Sequence, residues 1–285
     1  MIEPWMYPET TAIIRKAIKR RYELIPYVYS LALESHMTAS PPQRWTGWGF
    51  ESDPEVWTNR VLKDGETQYW LGDALLVGGV YEPGKSEAEI YLPKSNPEAK
   101  ELFLNTNAPY QYLEAGQWVK VESKWEDSIP VLARVGTAVQ VGRPCQTLST
   151  GEANENHASL PVDDYRAVEI FPGPSTSSGK SYENKWYEDD GIAPNEDGIS
   201  TFSVTYSWSS SEIQVTFSEA LQGSYIPPWQ TLCIILPVGD KRSVSLGGQA
   251  MQSRGADEQG RRIFESAPLR SSASESKSVS NSSKL

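Results

Sequence analysis

QYWLGDALLVGGVY, residues 68–81, is the point at which the chain changes texture. From Gln68 onward short β-rich runs replace any helical period: ALLVGGVY (74–81), AEIYLP (88–93), QWVKVE (117–122), IPVLARV (129–135) and TAVQVG (137–142). Turn signals such as Glu82-Pro83-Gly84 and Ala115-Gly116 lie between them. Strands this short and closely spaced, with no helix between them, predict an antiparallel sandwich. A second series follows in YRAVEIFP (165–172), SYENKWYE (181–188), STFSVTYSW (200–208), SEIQVTF (211–217) and TLCIILPV (231–238). Phe202, Val204, Tyr206 and Trp208 alternate onto one face, as do Ile213, Val215 and Phe217, so each strand has one buried side. Between the series, residues 146–161 are polar and turn-rich and read as a linker. After Leu246 periodicity fades, and the Ser-rich end is expected to be disordered.

Upstream of Gln68 the pattern is helical. Ile14, Ile18, Tyr22, Ile25, Val28 and Ala32 recur at spacings of three and four between Thr10 and Ser35. Thr10 or Thr11 suits an N-cap, and Pro26 predicts a kink or a second helix starting around it. Arg15, Lys16, Lys19, Arg20 and Arg21 lie mostly off the apolar stripe and read as a solvated outer face. One such helix and a Trp-rich segment cannot bury their own apolar surface, so they need a partner surface.

The totals narrow the function classes. A chain of 285 residues with 38% hydrophobic and 11% aromatic residues has enough apolar surface for real cores. A net charge of −11 disfavours nucleic acid and anionic membranes as partners. No run approaches the roughly 18–20 apolar residues of a membrane span. The N-terminus has no basic start followed by an apolar run, so no secretion signal is expected. Cys145 and Cys233, with His36 and His157, have no metal-ligand spacing, so neither metal nor other cofactor is expected.

EPWMYPE, IRKAIKRRYELIPYVYSL, PPQRWTGWGFESDPEVW, QYWLGDALLVGGVYEPG and YLP, in that order, resemble glycoside hydrolase family 31. The likeness is to the C-terminal part of its α-glucosidases and α-xylosidases, the fungal members most closely. SIPVLARVGTAV and WYEDDGI fit the same family, and the resemblance runs from about residue 3 to 240. It implies a mainly β fold: two antiparallel β-sandwich domains preceded by an α-helical remnant of a (β/α)8 barrel. The expected divisions are the barrel remnant at 1–66, a proximal sandwich at 67–145, the linker at 146–161, a distal sandwich at 162–246 and a tail at 247–285.

The resemblance also implies retaining hydrolysis of α-linked oligosaccharides or α-glycosides by two carboxyls roughly 5–5.5 Å apart. The family carries its nucleophile in a Trp-x-Asp-Met strand end and its acid in a Gly-Asp-Asn loop, with an Arg-Asn-His nearby. None of the three occurs in this sequence, so no catalytic or substrate-binding residue is assigned. Met1 opening onto a mid-barrel motif leads us to expect a truncated or degraded copy whose helix needs the barrel portion as partner.

The remaining polar residues have structural readings. Asp73, in WLGD, matches the first strand after the barrel. Asp53-Pro54-Glu55 reads as a helix start capped by Asp53. Asp163-Asp164 reads as turn chemistry before a strand. His36 reads as a helix-end residue and His157 as solvated. Glu3, Trp5, Trp45 and Trp48 would lie near a barrel mouth, where packing competes with sugar contact. In WYEDDGI (186–192) the acids Glu188, Asp189 and Asp190 are expected to face solvent or cap a turn that Gly191 permits. A non-catalytic carbohydrate-binding or interaction module is the alternative, with Trp186, Tyr187, Trp208 and Trp229 as stacking rings; the same rings suit core packing.

Overall fold

The structure is a computed structural model and describes residues 6–124, 129–144, 163–191, 198–223 and 225–270. Its helical part begins with a single 3-10 turn at Pro8–Thr10, followed by α1 (Thr11–Glu23) and α2 (Ile25–Thr38). Pro26 sits in the first turn of α2, where its missing N–H costs no helical bond. Thr10 occupies the N-cap position of α1 without capping: its hydroxyl donates back to the Tyr7 carbonyl at 2.9 Å. Two short helices, α3 (Pro54–Thr58) and α4 (Arg60–Lys63), follow.

Beyond the helices the protein is mainly β. One antiparallel sheet holds, in order, Gln43–Arg44, Gln68–Leu71, Leu75–Gly78, Val131–Arg134, Leu102–Asn105 and Tyr112–Glu114. The antiparallel strand pair Glu87–Leu92 and Gln117–Glu122 packs on it, and Trp70, Leu76, Ile90, Phe103 and Leu132 fill the space between. A five-stranded sheet runs Gln252–Ala256, Arg262–Glu265, Leu232–Leu236, Arg166–Ile170, Ala138–Val141. Facing it, Ser200–Trp208 pairs with Gly179–Lys180, Asn184–Glu188 and Glu212–Ala220, and Ser243–Leu246 and Gln249–Ala250 continue that sheet. Most ladders are antiparallel, but Arg166–Ile170 with Leu232–Leu236 and Glu212–Ala220 with Ser243–Leu246 are parallel.

Period two explains how Leu232–Leu236 can be buried along its whole length. Leu232, Ile234 and Leu236 enter the core between the second pair of sheets, while Cys233 and Ile235 point the other way. There they meet Tyr27, Leu31, Leu75, Val139 and Phe171, a shared core that ties α2 to both β units.

Three expectations are corrected. Ala138–Val141, placed in the first sandwich by a boundary at 145, pairs with Arg166–Ile170 of the second. The stretch after Leu246 is not all irregular: Gln252–Ala256 and Arg262–Glu265 form a hairpin on Leu232–Leu236, and Phe264 is buried. The linker 146–161, with His157, and the Ser-rich end from 271 lie outside the described residues, as do Glu3, Trp5 and Cys145.

The third correction concerns the basic residues of α1. On α1 and α2 the polar Glu23 and Ser30 are inside together with the core residues Tyr27 and Leu31, whereas Ile18, Tyr22, Ile25 and Tyr29 are exposed, in line with a stripe that needs another surface. Arg20 is not solvated with the other basic residues. Its two terminal nitrogens grip Glu169 at 2.6 and 2.8 Å, and it reaches Glu23 at 2.9 Å. Arg261 joins the same two acids, so α1, Arg166–Ile170 and the C-terminal hairpin meet in one ion cluster. Burial alone would raise the Glu169 carboxyl, but the guanidiniums of Arg20 and Arg261 hold it below its ordinary value.

Candidate functional site

WYEDDGI is an internal fastening. Glu188 ends the strand Asn184–Glu188 with its side chain turned inward and buried. It accepts from Arg166 at 2.8 and 3.3 Å, from the Trp186 indole at 2.9 Å, from the Tyr225 hydroxyl at 2.9 Å and from the Trp229 indole at 3.1 Å. The expectation that all three acids face solvent or turn amides therefore fails at Glu188. Period two puts Trp186 and Glu188 on the same inner side of their strand. Asp189 does cap the turn: one oxygen accepts from Gly191 N–H and from the Tyr29 hydroxyl of α2. Gly191 takes φ +67°, where a side chain would be strained.

Trp186 and Trp229, 2% and 0% exposed, leave no ring face for a sugar. Trp45 is half-buried against Val56, Leu62 and Tyr91 and donates to the Leu62 carbonyl at 2.7 Å. Trp48 is 41% exposed, with the Arg44 guanidinium 5.8 Å from its ring centre. Asp53 caps α3 through Glu55 N–H and also accepts from the Tyr91 hydroxyl and Lys94 N–H. Asp163 and Asp164 are ion-paired instead of turn-forming, with Arg166 at 2.6 Å and Arg143 at 2.8 Å. His36 is exposed in the last turn of α2. Among the described residues no cluster of His, Cys, Asp or Glu could hold a metal ion.

A crevice of about 360 Å³ lies where α2, the first sheet and the strand Asn184–Glu188 meet. Ser30, Leu31, Ala74, Thr137 and Ala138, all buried, line it. Glu34 and Asp73 stand on one wall, both bound to Arg44, whose side chain is almost wholly buried. Burial opposes the Arg44 charge, and Asp73 and Glu34 more than offset it, raising its pKa. The lining also holds Arg134, tied to Glu101 at 2.6 Å, and Tyr182, whose ring centre is 5.0 Å from the Arg134 guanidinium. Lys185 pairs with Glu183 at 3.2 Å, and Tyr187 completes the rim.

Chemically the crevice is a place of fixed donors and acceptors. A nucleophile and an acid must face each other across a scissile bond. Glu34 and Asp73 instead converge on one guanidinium. Sequence reasoning matched Asp73 to a strand, whereas it lies in the turn between Gln68–Leu71 and Leu75–Gly78, and it missed Arg44, Glu34, Arg134 and Tyr182, which come together only through long-range packing. The mixed sequence PPQRW held no sign that Arg44 would be the hub.

Comparisons with known proteins agree with the fold. Residues 1–31 match the glycosyl hydrolases family 31 TIM-barrel domain, and residues 39–139 match the glycosyl hydrolase family 31 C-terminal domain. The chain is 33% identical over 183 residues to a probable glucan 1,3-alpha-glucosidase of Oryza sativa subsp. japonica, covering 63% of this chain and 17% of the relative. It is 27% identical over 218 residues to an alpha-xylosidase of Saccharolobus solfataricus, covering 76% of this chain and 26% of the relative. Among solved structures, a Flavobacterium johnsoniae GH31 dextranase superposes with TM-score 0.72 at 22% identity, over 93% of this chain and 32% of that one. The chain thus spans well under a third of the length of these two sequence relatives. With both family domains matched in order along it, the chain is similar to the C-terminal part of glycoside hydrolase family 31.

Proposed function

We propose that this chain supplies the barrel edge and accessory β-domains of a retaining α-glucosidase or α-xylosidase, and that by itself it hydrolyses neither substrate. In this reading residues 1–66 dock on a (β/α)8 barrel and the two sandwiches brace it. The observation that carries the reading is the helix pair. One side, with Arg20, Glu23, Tyr27 and Leu31, is buried on the sandwiches, while Ile18, Tyr22, Ile25 and Tyr29 form an exposed, largely apolar stripe. Such a stripe fits burial against another apolar surface. The sequence contains no Trp-x-Asp-Met and no Arg-Asn-His, and the carboxylates described above are engaged in ion pairs or caps.

The test is hydrolysis of aryl α-glucosides and α-xylosides by the purified chain. Release at the buffer-blank rate is expected; turnover that survives repurification overturns the proposal. The stripe is tested separately by a fluorescent apolar dye, which should bind the chain and bind less to the I18K/I25K variant. The alternative, a sugar-binding module stacking on Trp186 and Trp229, loses the support of those two buried rings.

A further inference from the structure

We propose that the exposed stripe of α1 and α2 is a helix-binding face whose partner is an amphipathic α-helix with acidic flanks, which rests on the stripe being a docking face. Ile18, Tyr22, Ile25 and Tyr29 are 43%, 38%, 45% and 42% exposed, and they step along the chain by four, three and four residues. Arg15 before them and Ala32 after them keep the alternation and are exposed too. The two helices run end to end. Leu24 between them stays in the right-handed helical region, its N–H donates to the Arg20 carbonyl at 3.1 Å, and its carbonyl accepts from Val28 N–H at 3.0 Å. The exposed residues therefore make one row along about five turns.

Alternating steps of three and four are the core positions of a coiled coil, whose side chains insert between those of a facing helix. The row is narrow, with the charged Lys19 and Arg21 beside it. A flat sheet would press on those charges, whereas a helix meets the row and leaves its flanks in water. The chain's net charge of −11 opposes an anionic bilayer as the covering surface. The face is also held in advance of binding: the Tyr29 hydroxyl donates to Asp189 at 2.7 Å, and Tyr27 and Leu31 on the other side of α2 are fixed in the core. Charge then selects the partner. Lys19 and Arg21 occupy the flanking positions at which interhelical ion pairs form. Two copies of this chain joined through the row would bring these basic flanks together, while Glu or Asp on a foreign helix would be attracted to them.

The probe is a synthetic peptide of three heptads, about 21 residues, with Leu at the core positions and Glu at both flanks, set beside the same peptide with Lys at the flanks. Each is labelled and titrated with the 285-residue chain by fluorescence anisotropy, and circular dichroism reads the helix gained on binding. The Glu peptide should bind saturably and become helical; the Lys peptide should bind about tenfold or more weakly at low salt, with the gap narrowing at high salt. Ile18→Lys/Ile25→Lys should abolish binding, and Ile226→Lys, at an exposed isoleucine outside the two helices, should leave it unchanged. All three positions are at the surface, and thermal melts confirm folding of each variant. Equal binding of the two peptides, no binding of either, or binding that survives Ile18→Lys/Ile25→Lys overturns the proposal, as does a dimer in sedimentation velocity that the same variant splits. If the apolar dye binds the stripe while neither peptide does, the helical partner falls and the docking face stands.

Discussion

Replacing Glu188 should be the most damaging single substitution in the second sandwich. The Arg166 and Glu188 side chains are 3% and 8% exposed, so neither charge has water to fall back on. In Glu188→Ala, Arg166 keeps only Asp163, which is itself 61% exposed. Breaking one member of a buried pair costs about 3–5 kcal/mol. The indole N–H groups of Trp186 and Trp229 and the Tyr225 hydroxyl also lose their acceptor, at roughly 1–3 kcal/mol for each that stays unsatisfied. These losses are not additive, since the cavity can admit water, but about 5 kcal/mol is a fair lower figure. That is a third or more of the ~5–15 kcal/mol stability of a typical domain. Glu188→Gln keeps the shape and one acceptor oxygen while turning an NH2 toward donors, and should cost about 2–4 kcal/mol. The chain has more than one core, so the assay is hydrogen exchange read by peptide, with urea unfolding followed by tryptophan fluorescence as support. Faster exchange should be concentrated in 184–188, 200–208 and 232–236. If Glu188→Gln shifts stability by less than about 0.5 kcal/mol, as a neutral surface change would, Glu188 is not the fastening described here.

Three further outcomes follow from the same geometry. Because the folded Glu169 carboxyl titrates below its ordinary value of 4.5, its contribution is complete above that pH and is lost as pH falls through the lower folded value; α1 and residues 257–261 should then exchange faster at acid pH, and Glu169→Gln should remove the dependence. Asp53→Ala, which removes a helix cap and the acceptor of the Tyr91 hydroxyl and Lys94 N–H, should cost about 2–4 kcal/mol, with Asp53→Asn recovering part of it in thermal melts. Burial pushes the Cys233 thiol up to about 11, so peptide mapping after iodoacetamide at pH 8 should find it unmodified until the protein is unfolded.

Some of this fold was legible in the sequence and some was not, for identifiable reasons. Ser200–Trp208 and the start of Glu212–Ala220 were readable because each buries one face, so apolar residues alternate. The break at Pro26 was readable because proline leaves few options inside a helix. Gln252–Ala256 was not: all five residues are exposed, and an edge strand with no buried side leaves no pattern to see. Ala138–Val141 read correctly as a strand, but periodicity does not name a strand's neighbour, and its partner lies beyond residue 162. Glu188 was hidden for a different cause. Three adjacent acids look like a solvated turn unless one knows that Arg166, Tyr225 and Trp229 will arrive from elsewhere in the chain.

The helix pair carries the same lesson further. Spacing identified which residues share a face, and that face is real, but it did not tell which face would be covered by this chain. The covered face is held by groups 149 and 238 residues away, through Arg20 to Glu169 and Glu23 to Arg261. A seam of ion pairs is the kind of contact found between domains, more polar than a core and worth less per unit area than apolar burial. On α1 and α2 the ion pairs of Arg20 and Glu23 set orientation against the sandwiches, Tyr27 and Leu31 add apolar burial there, and the stripe of Ile18, Tyr22, Ile25 and Tyr29 stays uncovered by the described residues.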